Sequence, residues 1–347
     1  MSNLLIALLI LVTGSLIYSF RYIPLNMIQG WSWESFSFVQ GILCYLLLPL
    51  WGVQLALPEG WLFYELFENA SFAQILTIIG AGVVWNLGNI LIEQSYNYLG
   101  VGWSKSLSTA VNATAGTVLG AVVLHRFFTH THPVWELPLF VFAGMFIAWV
   151  GFLLVGAAGD RKNRETNMDQ DYVRLHGRKV KGLSAAIGGG IMAAGLAVGI
   201  AFGDDIYLGE TLPVYRTMPT IFLIGIGAVI SNSVYCLIQN VRHDTFSDYS
   251  IPRVWRVNIL VCLLTAVMEF APLLALSVTR GYLSGMQPLK HMAYFALITL
   301  LFVFSILWER LMQEWRRCSQ KTLKILHMGL LILLLGVLLP FVLVQIL

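Results

Sequence analysis

The sequence predicts an all-α membrane protein in which ten helices cross the bilayer. Of its 347 residues, 58% are hydrophobic and only 11% are charged, whereas a soluble domain carries about 25% charged residues. The mean hydropathy is +0.76, and the apolar residues form runs close to the roughly 20 residues that a bilayer requires. So little charge cannot cover a soluble surface. Composition therefore excludes a disordered protein, a nucleic-acid-binding protein and an ordinary cytosolic enzyme.

Ten apolar runs, named spans 1 to 10 in chain order, account for most of the chain. The first could be a secretory signal peptide, but no Lys or Arg precedes it and no small-residue cleavage site follows it. We therefore interpret it as a transmembrane helix. The ten predicted spans lie near residues 3–20, 35–57, 74–97, 103–124, 137–158, 182–203, 214–239, 256–279, 291–309 and 325–346.

The cations predict the orientation of these spans. Every Lys and Arg is assigned to a connection, and the odd-numbered connections hold 17 of the 21. Because positively charged connections stay in the cytoplasm, both termini are expected to face outward. The largest cluster of cations, residues 161–181, then forms the main cytoplasmic loop.

The basic loop at 161–181 divides the chain into two halves of five spans, 1–160 and 182–347. Because five is odd, the second half enters the membrane with the opposite polarity. Two inverted five-helix repeats are a known architecture for alternating-access transport. The sequence therefore predicts inverted repeats, on the basis of span count and charge.

Polar side chains recur at steps of three and four within several spans, so each set shares one helix face. Such residues either hydrogen-bond between packed helices or line a polar cavity. Two carboxylates and four polar faces together favour a cavity. Amides and an aromatic ring suit a polyhydroxylated solute, because amides donate and accept and a ring covers the apolar side of a sugar. The faces are Asn86, Asn89, Glu93 and Asn97 beside Trp85; Lys105, Ser108 and Asn112; Asn232, Tyr235 and Gln239; and Asn258, Thr265 and Glu269.

Two acids lie inside predicted spans rather than at an end residue. Glu269 falls near the middle of span 8, where a carboxyl can bind and release a proton as access alternates. Glu93 lies nearer the cytoplasmic end of span 3, at a depth that Lys105 could reach. Glu93 is therefore either the partner of an ion pair with Lys105 or a second coupling group. Pro272 is expected to kink span 8 and to free the carbonyl of Met268 beside Glu269.

Other patterns indicate no cofactor and no metal site. The glycines from Gly188 to Gly203 lack a preceding strand and a following Lys-Ser/Thr pair, so they indicate close helix packing rather than a phosphate loop. His130 and His132 form a lone pair on an outer connection, which is more often solvated than metal-bound. The four cysteines show no disulfide or metal spacing. A coupling ion, the proton, is the only small partner besides the solute.

Three stretches resemble a known family. They are Gly30-Trp31-Ser32-Trp33-Glu34 with Leu48-Pro49 and Leu57-Pro58; Gly82 to Trp85, Gly88-Asn89-Ile90, Tyr98-Leu99-Gly100 and Gly116-Thr117; and His291-Met292 with Glu309 and Glu314-Trp315. These segments resemble the L-rhamnose–proton symporter family of the drug/metabolite transporter superfamily. The resemblance implies a ten-helix sugar symporter of the bacterial inner membrane that is driven by protons.

Residues and resemblance together predict a proton-coupled symporter that imports L-rhamnose or a related deoxy-sugar. Its partners are a sugar, a proton and the lipid bilayer; the oligomeric state is left open. An exporter or exchanger of another metabolite, and a non-transporting receptor or scaffold, remain alternatives. An enzyme is not expected, because the spans lack a nucleophile–base set. The expected site has Glu269 and Glu93 as proton carriers, Lys105 as an ion-pair partner, and Trp85, Asn86, Asn89, Asn112, Asn232 and Tyr235 as solute contacts.

Overall fold

The structure, a computed structural model, is built from helices, and no strand occurs in the part of the chain that it describes. That part comprises residues 2–57, 59–60, 62–68, 70–127, 139–166, 179–204, 206 and 215–346. The α-helices are α1 Ser2–Ser19, α2 Tyr22–Leu25, α3 Trp33–Ile42, α4 Leu48–Ala56, α5 Phe72–Leu99, α6 Val101–Phe127, α7 Leu139–Glu165, α8 Lys179–Ala193, α9 Gly195–Phe202, α10 Met218–His243, α11 Pro252–Tyr282, α12 Gln287–Leu311 and α13 Gln320–Ile346.

Ten stretches of the described chain are long and apolar enough to cross a membrane, which confirms the predicted number of spans. Spans 1, 2 and 6 are each built from two α-helices, namely α1 with α2, α3 with α4, and α8 with α9. The remaining spans are single helices: α5, α6, α7, α10, α11, α12 and α13 are spans 3, 4, 5, 7, 8, 9 and 10.

Three spans contain local breaks in the α-helical pattern. Span 1 turns at Phe20 and Arg21, and span 6 turns at Ala194. Span 2 contains a π-helical turn at Leu43–Leu47, a feature that is frequent at functional sites. Pro272 lies inside the continuous helix α11, where it cannot donate a backbone hydrogen bond. The breaks therefore fall in the first span of each predicted half and in span 2.

The chain forms two compact units, and each draws spans from both predicted halves. We name them by their complete spans. The 1/2/7/8 unit comprises Leu5–Asn86 and Val198–Tyr282, and the 4/5/9/10 unit comprises Met1–Leu4, Leu87–Ala197 and Leu283–Leu347. Spans 3 and 6 are each divided between the two units, at Asn86/Leu87 and at Ala197/Val198. The halves at 1–160 and 182–347 stay a prediction about internal repeats.

Within the 1/2/7/8 unit, glycines bring helices into backbone contact. The Cβ of a larger residue at Gly82 or Gly227 would collide with the backbone of the facing helix, at Ile224 and Ile79 respectively. A Cβ at Gly14 would lie 2.5 Å from the Cβ of Ala275. Spans 1 and 8, and spans 3 and 7, are therefore packed at the separation that only glycine allows.

Within the 4/5/9/10 unit, helices α7 and α13 form the most extensive helix pair. A Cβ at Gly144 would lie 2.7 Å from the carbonyl oxygen of Gly336, and one at Gly151 would lie 2.9 Å from that of Gly329. Gly189 of span 6 likewise faces the carbonyl oxygen of Gly88. A Cβ at Gly190 would lie 2.7 Å from the carbonyl oxygen of Ser108, so Gly189 and Gly190 serve close packing, as the interpretation of that pattern predicts.

Candidate functional site

Glu269 lies deep in span 8. It is the eighteenth of the 31 residues of α11, so at a rise of about 1.5 Å per residue it sits about 25 Å along a helix of about 46 Å. A bilayer's hydrocarbon core is about 30 Å thick. A carboxyl at this position is costly unless a partner or water stabilises it.

The Glu269 carboxylate has two partners within the 1/2/7/8 unit. Arg21 of span 1 places Nη1 3.5 Å from Oε1, and the side-chain amide of Gln40 in span 2 donates to Oε2 at 2.7 Å. The side chains of Arg21 and Glu269 are 25% and 26% exposed. One carboxylate oxygen thus accepts a hydrogen bond from span 2, and the other lies within ion-pair distance of a cation of span 1.

The sequence predicts that Arg21 lies in the first connection, whereas the structure places it at the turn between α1 and α2. The apolar stretch of span 1 runs from Asn3 to Leu25 and includes this residue. The guanidinium lies 4.1 Å from the ring centroid of Tyr18 and 5.3 Å from that of Tyr22. The sequence does contain a signal for this site, namely a single cation between two tyrosines at the end of an apolar run. Aromatic rings stabilise a desolvated guanidinium.

Trp85 lies against the π-helical turn of span 2. Its ring meets that of Tyr45 edge to face, with centroids 5.6 Å apart. Tyr45 is buried, whereas Trp85 keeps part of its surface exposed. The pair forms an aromatic wall in the 1/2/7/8 unit, and Tyr45 was not among the predicted contacts.

Three of the predicted solute contacts, Asn86, Asn232 and Tyr235, make polar contacts within the 1/2/7/8 unit. Asn86 donates to the hydroxyl of Ser231 at 3.1 Å, and Asn232 donates to the carbonyl of Ser37 at 2.9 Å. Both amides are buried, so they join spans 3 and 7 and spans 7 and 2. Tyr235 is half-buried, and its hydroxyl accepts from Gln239 at 3.4 Å.

In the 4/5/9/10 unit, Asn112 is held by a residue that the sequence did not single out. The hydroxyl of Tyr294 in span 9 donates to Oδ1 of Asn112 at 2.8 Å, and it lies 3.5 Å from the carbonyl oxygen of Ala193, where span 6 breaks. The Tyr294 ring packs on Gly116, where a Cβ would collide with it. Asn89 of the same unit is half-buried.

Lys105 belongs to a charge network in the 4/5/9/10 unit. Its ammonium lies 3.0 Å from Oε1 of Glu309, and Lys162 lies 3.6 Å from Oε2 of the same carboxylate and 2.8 Å from Glu314. The indole N–H of Trp315 donates to Glu309 at 3.3 Å. The pairing of Lys105 with Glu93 stays a prediction. Glu93 itself is exposed.

The described residues offer no ready metal site. They contain no group of three or more His, Cys, Asp or Glu side chains placed to hold a metal ion. His130 and His132, the weak candidate of the sequence, lie outside the described residues.

Comparison with known proteins identifies the family. The chain matches the family model of the L-rhamnose-proton symport protein (RhaT) over residues 1–341. It is 24% identical over 331 residues to the L-rhamnose-proton symporter of Salmonella dublin, and 25% identical over 324 residues to that of Yersinia pestis bv. Antiqua. In both comparisons, 91% of each chain is covered. The chain therefore belongs to the L-rhamnose-proton symport family, a family of transporters rather than enzymes.

Proposed function

We propose that this protein is a symporter that imports L-rhamnose or a related deoxy-sugar together with a proton across the bacterial inner membrane. The family membership supports the substrate class and the coupling ion. The observation that carries the proposal in the structure is Glu269, an acid in the middle of span 8 that is held between Arg21 and Gln40.

Glu269 is the proton carrier of this proposal, and Glu93 is the second candidate. A carboxyl near mid-membrane that is partly exposed can take a proton from one side and release it to the other. The partial exposure of Glu269 supports access to it. Glu93 is also exposed, but it lies six residues before the end of α5.

The solute contacts of the proposal are Trp85, Asn86, Asn232 and Tyr235 in the 1/2/7/8 unit, and Asn89 and Asn112 in the 4/5/9/10 unit. The exposed part of the Trp85 ring supports contact with the apolar face of a deoxy-sugar. Asn86 and Asn232 already bond to neighbouring spans. We expect them to hold the site's shape as well as to donate to hydroxyl groups.

Breaks in corresponding spans support an inverted repeat. Span 1 and span 6 each open a predicted half, and each is interrupted within its apolar stretch, at Arg21 and at Ala194. Interrupted helices at matching positions of two halves are typical of transporters with inverted repeats, which bind solute near the break. With an odd number of spans per half and the observed cations, both termini then face outward.

Uptake into proteoliposomes tests the proposal. Vesicles that are acidic outside are expected to accumulate labelled L-rhamnose above the level reached without a pH gradient. The Glu269→Gln variant should lose this accumulation and keep exchange of labelled for unlabelled sugar, since exchange needs no net proton transfer. Glu68→Gln, at an exposed position between spans 2 and 3, is the matched control and should behave as wild type.

Two results would overturn symport, and a third would move its proton site. Absence of gradient-driven accumulation for every deoxy-sugar tested would contradict symport and favour an exporter or exchanger, whereas binding without flux would indicate a receptor. Full accumulation by Glu269→Gln would keep symport and move the proton site to another residue, with Glu93→Gln as the next variant.

A further inference from the structure

Arg21 is the positively charged neighbour of Glu269, and its charge stays fixed while that of Glu269 can be neutralised by a proton. Gln40 is neutral, and within the described part of the chain the titratable side chains that interact with this pair include Tyr18 and Tyr22 of span 1 and Cys44 and Tyr45 of span 2. Phenols and thiols are uncharged when protonated. While Glu269 carries no proton, Arg21 and Glu269 contribute one positive and one negative charge, and their sum is zero.

We propose that Arg21 is the counter-ion that competes with the coupling proton for Glu269. The proposal rests on the function given above and names the group that the proton displaces. When a hydronium ion gives a proton to Oε1 of Glu269, one O–H bond of the hydronium breaks to leave water, one O–H bond forms on the carboxyl, and the ion pair with Nη1 of Arg21 is lost. The guanidinium keeps all of its protons, because it does not deprotonate in proteins. The loaded site carries a net charge of +1.

Two aromatic rings can still stabilise the guanidinium of Arg21 after Glu269 is neutralised. The rings of Tyr18 and Tyr22 lie 4.1 and 5.3 Å from it, and cation–π attraction to them does not depend on the state of Glu269. Arg21 also sits at the turn between α1 and α2, where the backbone of span 1 leaves the helical pattern. Arg21 is thus a positioning residue that sets when Glu269 accepts a proton and which step of the cycle carries charge.

The first test measures proton binding without transport. Purified protein in detergent is mixed with L-rhamnose, and a pH-indicator dye records protons taken up over a range of pH. Wild type is expected to take up one proton per bound sugar over a defined pH window. In Arg21→Gln this window should move to proton concentrations at least about tenfold lower, because an opposite charge nearby shifts such an equilibrium by one to three decades.

Variants separate the charge of Arg21 from its packing. Arg21→Lys retains the charge and should keep the wild-type window, and Arg253→Gln, an exposed cation of the same unit, should leave it unchanged. A wild-type window in Arg21→Gln overturns the inference but leaves Glu269 as the proton site. If proton uptake instead persists in Glu269→Gln, Glu269 is not the proton carrier of the proposed function. If Arg21→Gln binds no sugar, the test depends on Arg21→Lys. A pH window of proton uptake in Arg21→Lys that differs from that of the wild type would then contradict the inference.

The second test measures which step carries charge. Counterflow at saturating L-rhamnose on both faces involves only the loaded site, so its rate should depend on membrane potential in the wild type, where that site carries +1. In Arg21→Gln the loaded site is neutral, and counterflow should become independent of potential. An unchanged potential dependence in Arg21→Gln would contradict the role assigned to Arg21.

Discussion

Glu309 is the centre of the charge network in the 4/5/9/10 unit, and its replacement by Gln gives a sharp test of how that unit is held together. Its carboxylate faces the ammonium groups of Lys105 and Lys162, at 3.0 and 3.6 Å, and the indole N–H of Trp315 at 3.3 Å. The Glu309 side chain is only 20% exposed. Glu309→Gln keeps the size of the side chain and removes its charge, so two ammonium groups lose their common partner.

The expected cost follows from the burial of these groups. Breaking a buried ion pair by removing one partner costs about 3–5 kcal/mol, whereas an exposed pair contributes about 0–1 kcal/mol. Lys162 keeps Glu314 at 2.8 Å, and the Gln side chain keeps one oxygen that can accept from Lys105 or Trp315. We therefore expect Glu309→Gln to lower the free energy of unfolding by roughly 2–3 kcal/mol.

Unfolding by dodecyl sulfate in mixed micelles, followed by tryptophan fluorescence, measures this change. Glu314→Gln is the matched control, because its side chain is 52% exposed and its loss should cost about 1 kcal/mol or less. A double-mutant cycle of Glu309→Gln with Lys105→Met should give a coupling energy of at least about 1 kcal/mol. A cost for Glu309→Gln no larger than that of Glu314→Gln would refute the reasoning, since the network would then be no more than a surface feature.

Three further predictions concern other parts of the chain. Burial would raise the pKa of Asp248, but hydrogen bonds from the start of span 2 outweigh it, so the pKa is lowered. The ionised carboxylate therefore stabilises the folded state fully above about pH 3.9, and this stabilisation is lost as pH falls through the lowered pKa. In Asp248→Asn, the free energy of unfolding should accordingly fall less steeply as the solution is acidified. Tyr294→Phe frees Asn112 and should raise KM for sugar uptake more than it lowers the maximal rate. Gly144→Ala should lower the free energy of unfolding by about 1–3 kcal/mol, whereas Gly80→Ala, with open space around it, should not.

The ten spans could be predicted because they depend on local composition. A run of about 20 apolar residues crosses a bilayer whatever its neighbours are, and the same argument identified Glu269 as an acid in an unusual place. The glycines of span 6 were likewise interpretable, because small residues every fourth position have one main use in membrane helices. These features require no knowledge of which spans meet.

The partners of these residues could not be predicted for the opposite reason. Glu269 pairs with Arg21, and Asn112 with Tyr294, across long stretches of chain, and nothing local specifies either pairing. The run of apolar residues in the sequence predicts that span 1 ends near residue 20 and that Arg21 lies in a connection, whereas the apolar stretch in the structure continues through α2 to Leu25. The two compact units could not be predicted from the order of the spans either, because each combines spans from both halves of the sequence.

The contact between α7 and α13 has a mechanical consequence. Each helix is about 40 Å long at 27 residues, and at Gly144 and Gly151 its backbone touches that of the other, two turns apart. Neither helix can rotate or slide without lifting over the facing carbonyl groups. We therefore expect α7 and α13 to move as one body within the 4/5/9/10 unit.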